Sequence, residues 1–498
     1  MKRIVLLLVV FVMMVGMTSA WAQEEAKCLV RLSGLESKEM KNFLGNSYDI
    51  AARGTDWLEM VVSASEADSM KKAGRHVDAL IGNLDEYVKQ RLASQTPTAK
   101  YHSFEETAST LKSWAAAYPT IVRLESIGKS CEGRDIWAIK LSHDPASDTK
   151  KAAVLIMGLT HAREWTTSEV TMAIIETLLR NYGKDARLTR LVDERELWFV
   201  PIVNPDGLSY SQTSSKFWRK NRRPISGDTF GVDLNRNYGY HWGESGVSQD
   251  PTDDTYPGTA GFTEPETLAI KALSEREKFQ ASLSFHSYSE LVLYPFGYAA
   301  GAPNPDAAVF KNVGKQMAAF NKYTVENCTD LYPAAGISDD WLYGTLKTIA
   351  FTIEMGKQFI PPATEIASQC AINVPAALTL IEQAPAVAVN SPSGNPAIIE
   401  TLDFADGISA LELGQSMMPD QSGEVREQSA SRMQAVARHT AQSAAERILA
   451  GDKSVVTRLM SSPASSELIP LVRICLRFES CHGHAVPAEV FDSLSVTH

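Results

Sequence analysis

Hydrophobic and polar positions fall into three successive patterns along this chain. Between 27 and 95, the stretches 28–32, 47–52, 57–63 and 77–81 alternate with the period of two expected of strands. The stretches 36–44 and 65–73 instead carry helical spacing. Their order, β-α-β-β-α-β, predicts a small ferredoxin-like α+β unit. A helical stretch over 84–93 with Lys89 and Arg91 follows, and then polar Ser94-Gln-Thr-Pro-Thr-Ala-Lys100 reads as a linker.

From Tyr101 the pattern is larger. Helices are predicted over 103–118, 167–182 and 374–383, and strands over 122–127, 135–141, 196–203, 281–285 and 350–353. Residues 152–158 are almost wholly apolar, as a strand buried on both faces must be. This predicts an α/β domain: a mixed, mostly parallel sheet covered by helices on both faces. From Ala384 the chain turns to a Pro-, Ser- and Asn-containing linker, after which 425–450 and 467–478 read as helices of a C-terminal extension whose role is not legible.

Length and charge narrow the picture. At 498 residues two to four units are expected. The net charge of −11, without a dense basic block, excludes nucleic acid or an anionic membrane surface as a natural partner. Lys2 and Arg3, an apolar run from Ile4 to Val15 and the exit Ala20-Trp-Ala22 describe a signal peptide, its apolar stretch too short to span a bilayer. The expected organisation is signal peptide 1–22, small domain 23–99, large domain 100–388 and extension 389–498. A monomer, secreted or periplasmic, is expected. Six cysteines permit three disulfides, with Cys475 and Cys481 near enough in sequence to pair.

The chemistry begins at Thr160-His161-Ala-Arg163-Glu164-Trp165, directly after the buried strand 152–158. An imidazole and a carboxylate three apart can meet at one metal ion, although a plain ion pair would use the same spacing. A third ligand is sought among only ten histidines, and His286 ends the apolar strand 281–285, where open α/β sheets place function. Further motifs accumulate: Asn204-Pro-Asp-Gly207, Trp218-Arg219-Lys-Asn-Arg222, Gly231-Val-Asp233-Leu-Asn235-Arg236-Asn237, His286-Ser-Tyr288 and Phe351-Thr-Ile-Glu354. Arg222 and Arg223 read as solvated charge. The Cys481-His-Gly-His484 cluster is too loosely constrained to stand as a second metal site, and Asn327-Cys-Thr329 is a lone sequon.

With these motifs in this order, the stretch from Tyr101 to Gln383 resembles the zinc metallocarboxypeptidases of the pancreatic A and B type, and the small domain resembles that family's activation domain. The resemblance implies one Zn2+ held by His161, Glu164 and His286. It makes Glu354 the general base and Arg219 the cation that meets the developing oxyanion. Asn235 and Arg236 would grip the free C-terminal carboxylate of a peptide or protein substrate, with Tyr332 closing over it. Arg163 and Tyr288 would line outer subsites, and Asp233 would orient the first histidine. Asp339, in Gly336-Ile-Ser-Asp339-Asp340-Trp341, matches the base of the pocket for the departing side chain and implies a preference for Lys and Arg, apolar residues being the second choice; capping of the following helix is another use for either aspartate. The expected activity is exopeptidase release of single C-terminal amino acids from a zymogen cut between about Lys89 and Lys100. Two other readings are a non-catalytic peptide-binding protein on the same fold and a peptidoglycan-trimming zinc amidase or carboxypeptidase. The intact ligand set and Glu354 speak against the first, the carboxylate clamp against the second.

Overall fold

The computed structural model describes residues 25–97, 99–146 and 151–390 and, beyond these, 408–409, 411–412, 423–450, 452–481 and 494. The signal peptide and the His482 and His484 positions lie outside the described residues.

The N-terminal unit has the expected order: β1 (Lys27–Ser33), α1 (Ser37–Leu44), β2 (Asp49–Arg53), β3 (Trp57–Ser63), α2 (Ala64–Lys72) and β4 (His76–Ile81), with α3 (Leu84–Ala93) following. Its four strands pair in the order β2-β3-β1-β4. Helix starts are written locally. Ser63 and Glu66 form a reciprocal capping box on α2, the Ser63 hydroxyl accepting from the Glu66 amide at 3.2 Å and the Glu66 carboxylate from the Ser63 amide at 2.7 Å.

After α4 (Phe104–Ala117), an eight-stranded sheet forms from β5 (Val122–Lys129), β6 (Asp135–Leu141), β7 (Ala152–Met157), β8 (Arg195–Val200), β11 (Ala281–His286), β12 (Leu291–Tyr294), β13 (Thr324–Asn327) and β14 (Ile349–Glu354); a small hairpin, β9 (Pro224–Ser226) and β10 (Thr229–Phe230), lies apart. The strand order is β13-β12-β14-β11-β7-β8-β6-β5. Its four central strands, β14, β11, β7 and β8, run parallel.

Period two sorts the side chains. Val154 and Ile156 of β7 and Leu197 and Phe199 of β8 face the layer containing α5 (Thr166–Asn181), α6 (Ala186–Glu194), α9 (Ala307–Asn321) and α12 (Ile366–Asn390). Leu155, Met157, Trp198 and Val200 face α8 (Pro265–Glu277) and α11 (Ser338–Leu346) on the other side. Helices α7 (Pro205–Thr213) and α10 (Cys328–Leu331) are short connectors.

Three expectations need correction. Helix α12 runs on to Asn390, past the point where composition placed a linker. The alanines that alternate with Pro385 favour helix, and burial from Val374 to Ala384 carries the helix forward. Four of the six cysteines, Cys28, Cys131, Cys328 and Cys370, are free thiols, so three disulfides do not form; a core of this size folds without them. Arg222 is buried, its guanidinium 3.6 Å from the Tyr210 ring centroid and 4.3 Å from that of Phe230, and Arg223 pairs with Glu264 at 2.6 Å. Arg222 is withdrawn from solvent by three aromatic rings, and the half-exposed Arg223 is paired with a buried carboxylate, partners that sequence distance conceals.

The tail is helical over Gly423–Leu449, Lys453–Ser461 and Ser465–Cys481. Val436, Ala441, Leu459 and Val472 join the same apolar core as Leu380 and Ile381 of α12, so the tail lies on the α12 side of the sheet. No helix among the described residues is long and apolar enough to cross a membrane.

Candidate active site

The four central parallel strands end along one edge of the sheet, and the chemistry gathers there. Beyond β7 the chain turns sharply through Gly158 and Leu159, the latter at φ +53°. A Cβ on Gly158 would lie 2.8 Å from the Thr167 carbonyl oxygen, so only glycine fits. The Leu159 amide donates to the Thr167 hydroxyl at 2.8 Å, and that hydroxyl donates to the Glu164 carbonyl at 2.6 Å. This tight path from strand to α5 brings His161 and Glu164 together.

His161 Nδ1 lies 2.8 Å from Glu164 Oε1. His286 Nδ1, arriving from the end of β11, lies 3.1 Å from both His161 Nδ1 and Glu164 Oε2. All three residues are buried. Two ring nitrogens and a carboxylate facing one another suit a cation better than a hydrogen bond, and Glu164 Oε2 accepts none. Two nitrogens and one carboxylate are the three protein ligands of a catalytic zinc, and the group fits that metal. Burial would raise the Glu164 carboxyl, but the two imidazoles outweigh it and hold the group below the usual range.

Asp233 stands behind the ligands. Its Oδ1 is 3.2 Å from His161 Nε2, which leaves Nδ1 to face the ligand cluster, and its Oδ2 accepts from Arg219 Nε and Nη2 at 3.1 and 2.9 Å. Burial opposes its charge, yet Arg219 and His161 keep it well below the ordinary carboxylate range. Glu354 ends β14 in register with His286. Burial, with the Glu164 charge adding to it, pushes its carboxyl up to about 8.

Asn235 and Arg236 sit on a single 3-10 turn capped by Asp233, whose carboxylate accepts from the Asn235 amide at 3.0 Å. Asn235 Oδ1 accepts from the Ser338 amide at 3.0 Å, which ties this turn to α11. Arg236 is fixed by the carbonyls of Gly246 and Asn235 at 2.9 and 2.8 Å, and Tyr332 lies over it with its ring centroid 5.7 Å away.

Asp339 and Asp340 differ in their contacts. Asp340 accepts from the backbone amides of Gly297 and Tyr298 at 2.9 Å and so holds the loop after β12. Asp339 Oδ2 accepts from Thr352 Oγ1 at 2.7 Å, and Thr352 shares a face of β14 with Glu354, two residues on. Neither aspartate caps α11, whose N-cap is Ile337 without a side-chain bond. Burial raises Asp339 to about 6.

Arg163 and Tyr288 face the N-terminal unit. Arg163 Nη2 donates to Asp49 Oδ1 at 2.7 Å, and Tyr288 donates to Glu59 Oε2 at 2.5 Å. Asp49 also lies 3.8 Å from Arg219. Sequence reasoning missed Asp49, Glu59 and Thr352. Only Thr352 had a local signal, its two-residue spacing from Glu354.

A zinc carboxypeptidase family model matches residues 107–376. A zinc carboxypeptidase of Saccharothrix mutabilis subsp. capreolus is 32% identical over 350 residues, 64% of this chain and 80% of that protein. Human carboxypeptidase B is 34% identical over 310 residues, 58% of this chain and 73% of that protein. The solved carboxypeptidase A of Helicoverpa armigera superposes with a TM-score of 0.64 at 23% identity, over 72% of this chain and 97% of that one, a likeness of fold. With the matched segment spanning the convergent His-Glu-His group, the chain belongs to the zinc carboxypeptidase family, whose members are peptide-bond hydrolases acting at C termini.

Proposed function

We propose that this protein releases single C-terminal residues, with Lys and Arg favoured, once residues 23–99 are removed. The observation that carries the specificity is Asp339: a buried carboxylate with no ion-pair partner among the described residues, hydrogen-bonded beside the Thr352–Glu354 face. An unpaired buried charge is costly, and a departing side chain that carries a cation relieves that cost. Human carboxypeptidase B and a zinc carboxypeptidase A 1 of Drosophila melanogaster, 35% identical over 314 residues, are both relatives, so kinship alone does not choose between basic and apolar residues.

His161, Glu164 and His286 hold the zinc, which when bound supplies Lewis acidity toward the scissile carbonyl and makes water a better nucleophile. Arg236 and Asn235 take the substrate's terminal carboxylate, Arg236 through its planar fork, and Tyr332 covers it. Glu354 removes a proton from the attacking water and returns one to the leaving amine. Arg219, oriented by Asp233, stabilises the oxyanion.

The N-terminal unit fits a removable cover. Asp49 and Glu59 occupy Arg163 and Tyr288, while Ser94, Thr96 and Pro97 of the connecting stretch are exposed, as nicking requires. A set of peptides differing only in the last residue, each as free acid and as amide, tests the reading by mass spectrometry of the products. Loss of single residues from free acids, fastest for Lys and Arg, is expected. Equal cleavage of the amides would exclude a carboxylate clamp.

A further inference from the structure

The lysine at the start of β1 makes an unusual contact. Lys27 pairs with Asp254, which lies in the loop that follows the Asn235-Arg236 turn. The Asp254 side chain is only 8% exposed, and its carboxylate is also 4.0 Å from Arg163 Nη1. The neighbouring Thr255 hydroxyl donates to the Ser47 carbonyl at 2.8 Å, so two segments of the N-terminal unit rest on this loop. The backbone of Tyr256 in the same loop accepts from the Asp233 amide at 2.8 Å, which links it to the residue behind His161. Asp254 therefore stands beside Arg163, which Asp49 links in turn to Arg219.

Removal of residues 23–99 takes away Lys27, Ser47 and Asp49 together. It empties the place that Lys27 held beside the Asp254 carboxylate, where Arg163 at 4.0 Å and Lys220, which donates to the Asp253 carbonyl at 2.8 Å, remain as neighbouring cations. The emptied place suits a new cation, because the direct contact that Lys27 made with this largely buried carboxylate is the one that removal breaks.

We infer that Asp254 is a second specificity site, taking a Lys or Arg side chain of the substrate upstream of the residue released, and that Lys27 occupies this subsite in the uncleaved chain. The inference rests on the reading of residues 23–99 as a removable cover. Lys27 thus stands in for a substrate side chain, as Asp49 stands against Arg163. A peptide with basic residues both at its C terminus and upstream would use Asp339 and Asp254 at once. Basic-rich peptide tails are the substrate class that this pair of carboxylates fits. One alternative is internal: Arg163, freed from Asp49, can turn fully onto Asp254 and satisfy it without substrate.

The test uses the trimmed, zinc-loaded enzyme and N-blocked tetrapeptides ending in Arg, with Lys, Leu or Glu placed at each of the three preceding positions in turn. At one position kcat/KM is expected to be about tenfold higher for Lys than for Leu, and lower still for Glu. Asp254→Asn should bring the Lys-to-Leu ratio at that position to within twofold of one, and Asp254→Lys should invert it toward Glu. A wild-type ratio within twofold of one at all three positions overturns the subsite and favours the Arg163 pairing. So does a preference for Lys that Asp254→Asn leaves intact. Failure of the cover reading looks different: the full chain would then turn over a blocked dipeptide as fast as the trimmed form does, and with the same dependence on upstream residues.

Discussion

At the scale of single residues, the site sets groups of opposite demand a few ångströms apart. Glu164 is a buried carboxylate and Glu354 a half-buried one, both near His286, yet Glu354 is raised to about 8 and Glu164 is lowered. The difference lies in their neighbours, since Glu164 faces two imidazoles directly. Glu354→Gln should keep zinc at one per chain, measured by atomic absorption, while kcat falls by about 10²–10⁴-fold, the usual contribution of a positioned base. Asp339 gives a prediction with a definite sign. Its folded pKa of about 6 exceeds the unfolded value, so the folded state binds this proton more tightly and stability falls as pH rises from about 4 through about 6. Asp339→Asn should therefore stabilise the folded state at pH 7 by up to about 3 kcal/mol, read as a higher melting temperature. The same titration governs preference. The ratio of kcat/KM for C-terminal Arg over Leu should fall from pH 7 to pH 5 in wild type and stay flat in the Asn variant.

At the scale of elements, the proposed clamp depends on how the 3-10 turn at Leu234–Arg236 meets α11. Gly336 sits at φ +70°, its carbonyl accepting from the Tyr238 amide at 2.9 Å, and a Cβ there would lie 2.3 Å from the Arg236 carbonyl oxygen. Gly336→Ala must push the two elements apart, besides costing about 1–2 kcal/mol for the left-handed backbone. Because the Ser338–Asn235 bond lies in the same junction, the damage falls on carboxylate binding. KM for free-acid peptides should rise about tenfold or more with a smaller change in kcat. A change confined to kcat would place this junction outside substrate binding.

At the scale of the whole molecule, the N-terminal unit and the large domain meet through charges. Arg163 is fully buried between them and holds Asp49 through both of its terminal nitrogens, at 2.7 and 2.6 Å. Removing one partner of such a pair costs about 3–5 kcal/mol because the other charge stays buried. Asp49→Ala should therefore loosen the cover. In the uncleaved chain, turnover of a blocked dipeptide should rise at least tenfold over uncleaved wild type. After cleavage the two preparations should be indistinguishable, since residue 49 has left. Equal rates in the uncleaved forms would mean that this pair does not restrain the site.

The sequence by itself determined the elements of the N-terminal unit and of the sheet's centre, and which residues are candidates for the site. Period-two runs located the ferredoxin-like strands and the central strand β11, a wholly apolar run located β7, and the motifs holding His161, Glu164, His286 and Glu354, each at or just after a strand end, carried the resemblance that implied a zinc hydrolase. Less was legible where local pattern is weak or where partners come from afar. Helices α8 and α9 and strands β12 and β13 escaped notice in segments whose apolar spacing is broken by Gly, Pro and polar residues. Only the tertiary structure decided that Asp340 serves a loop while Asp339 stands beside Thr352, that Arg222 is sheathed in aromatic rings, and that Asp49, Glu59 and Lys27 reach Arg163, Tyr288 and Asp254. These pairings span up to 229 positions. Charge meets charge across that distance only after two separately patterned domains have docked, and no periodicity within either domain encodes the partner.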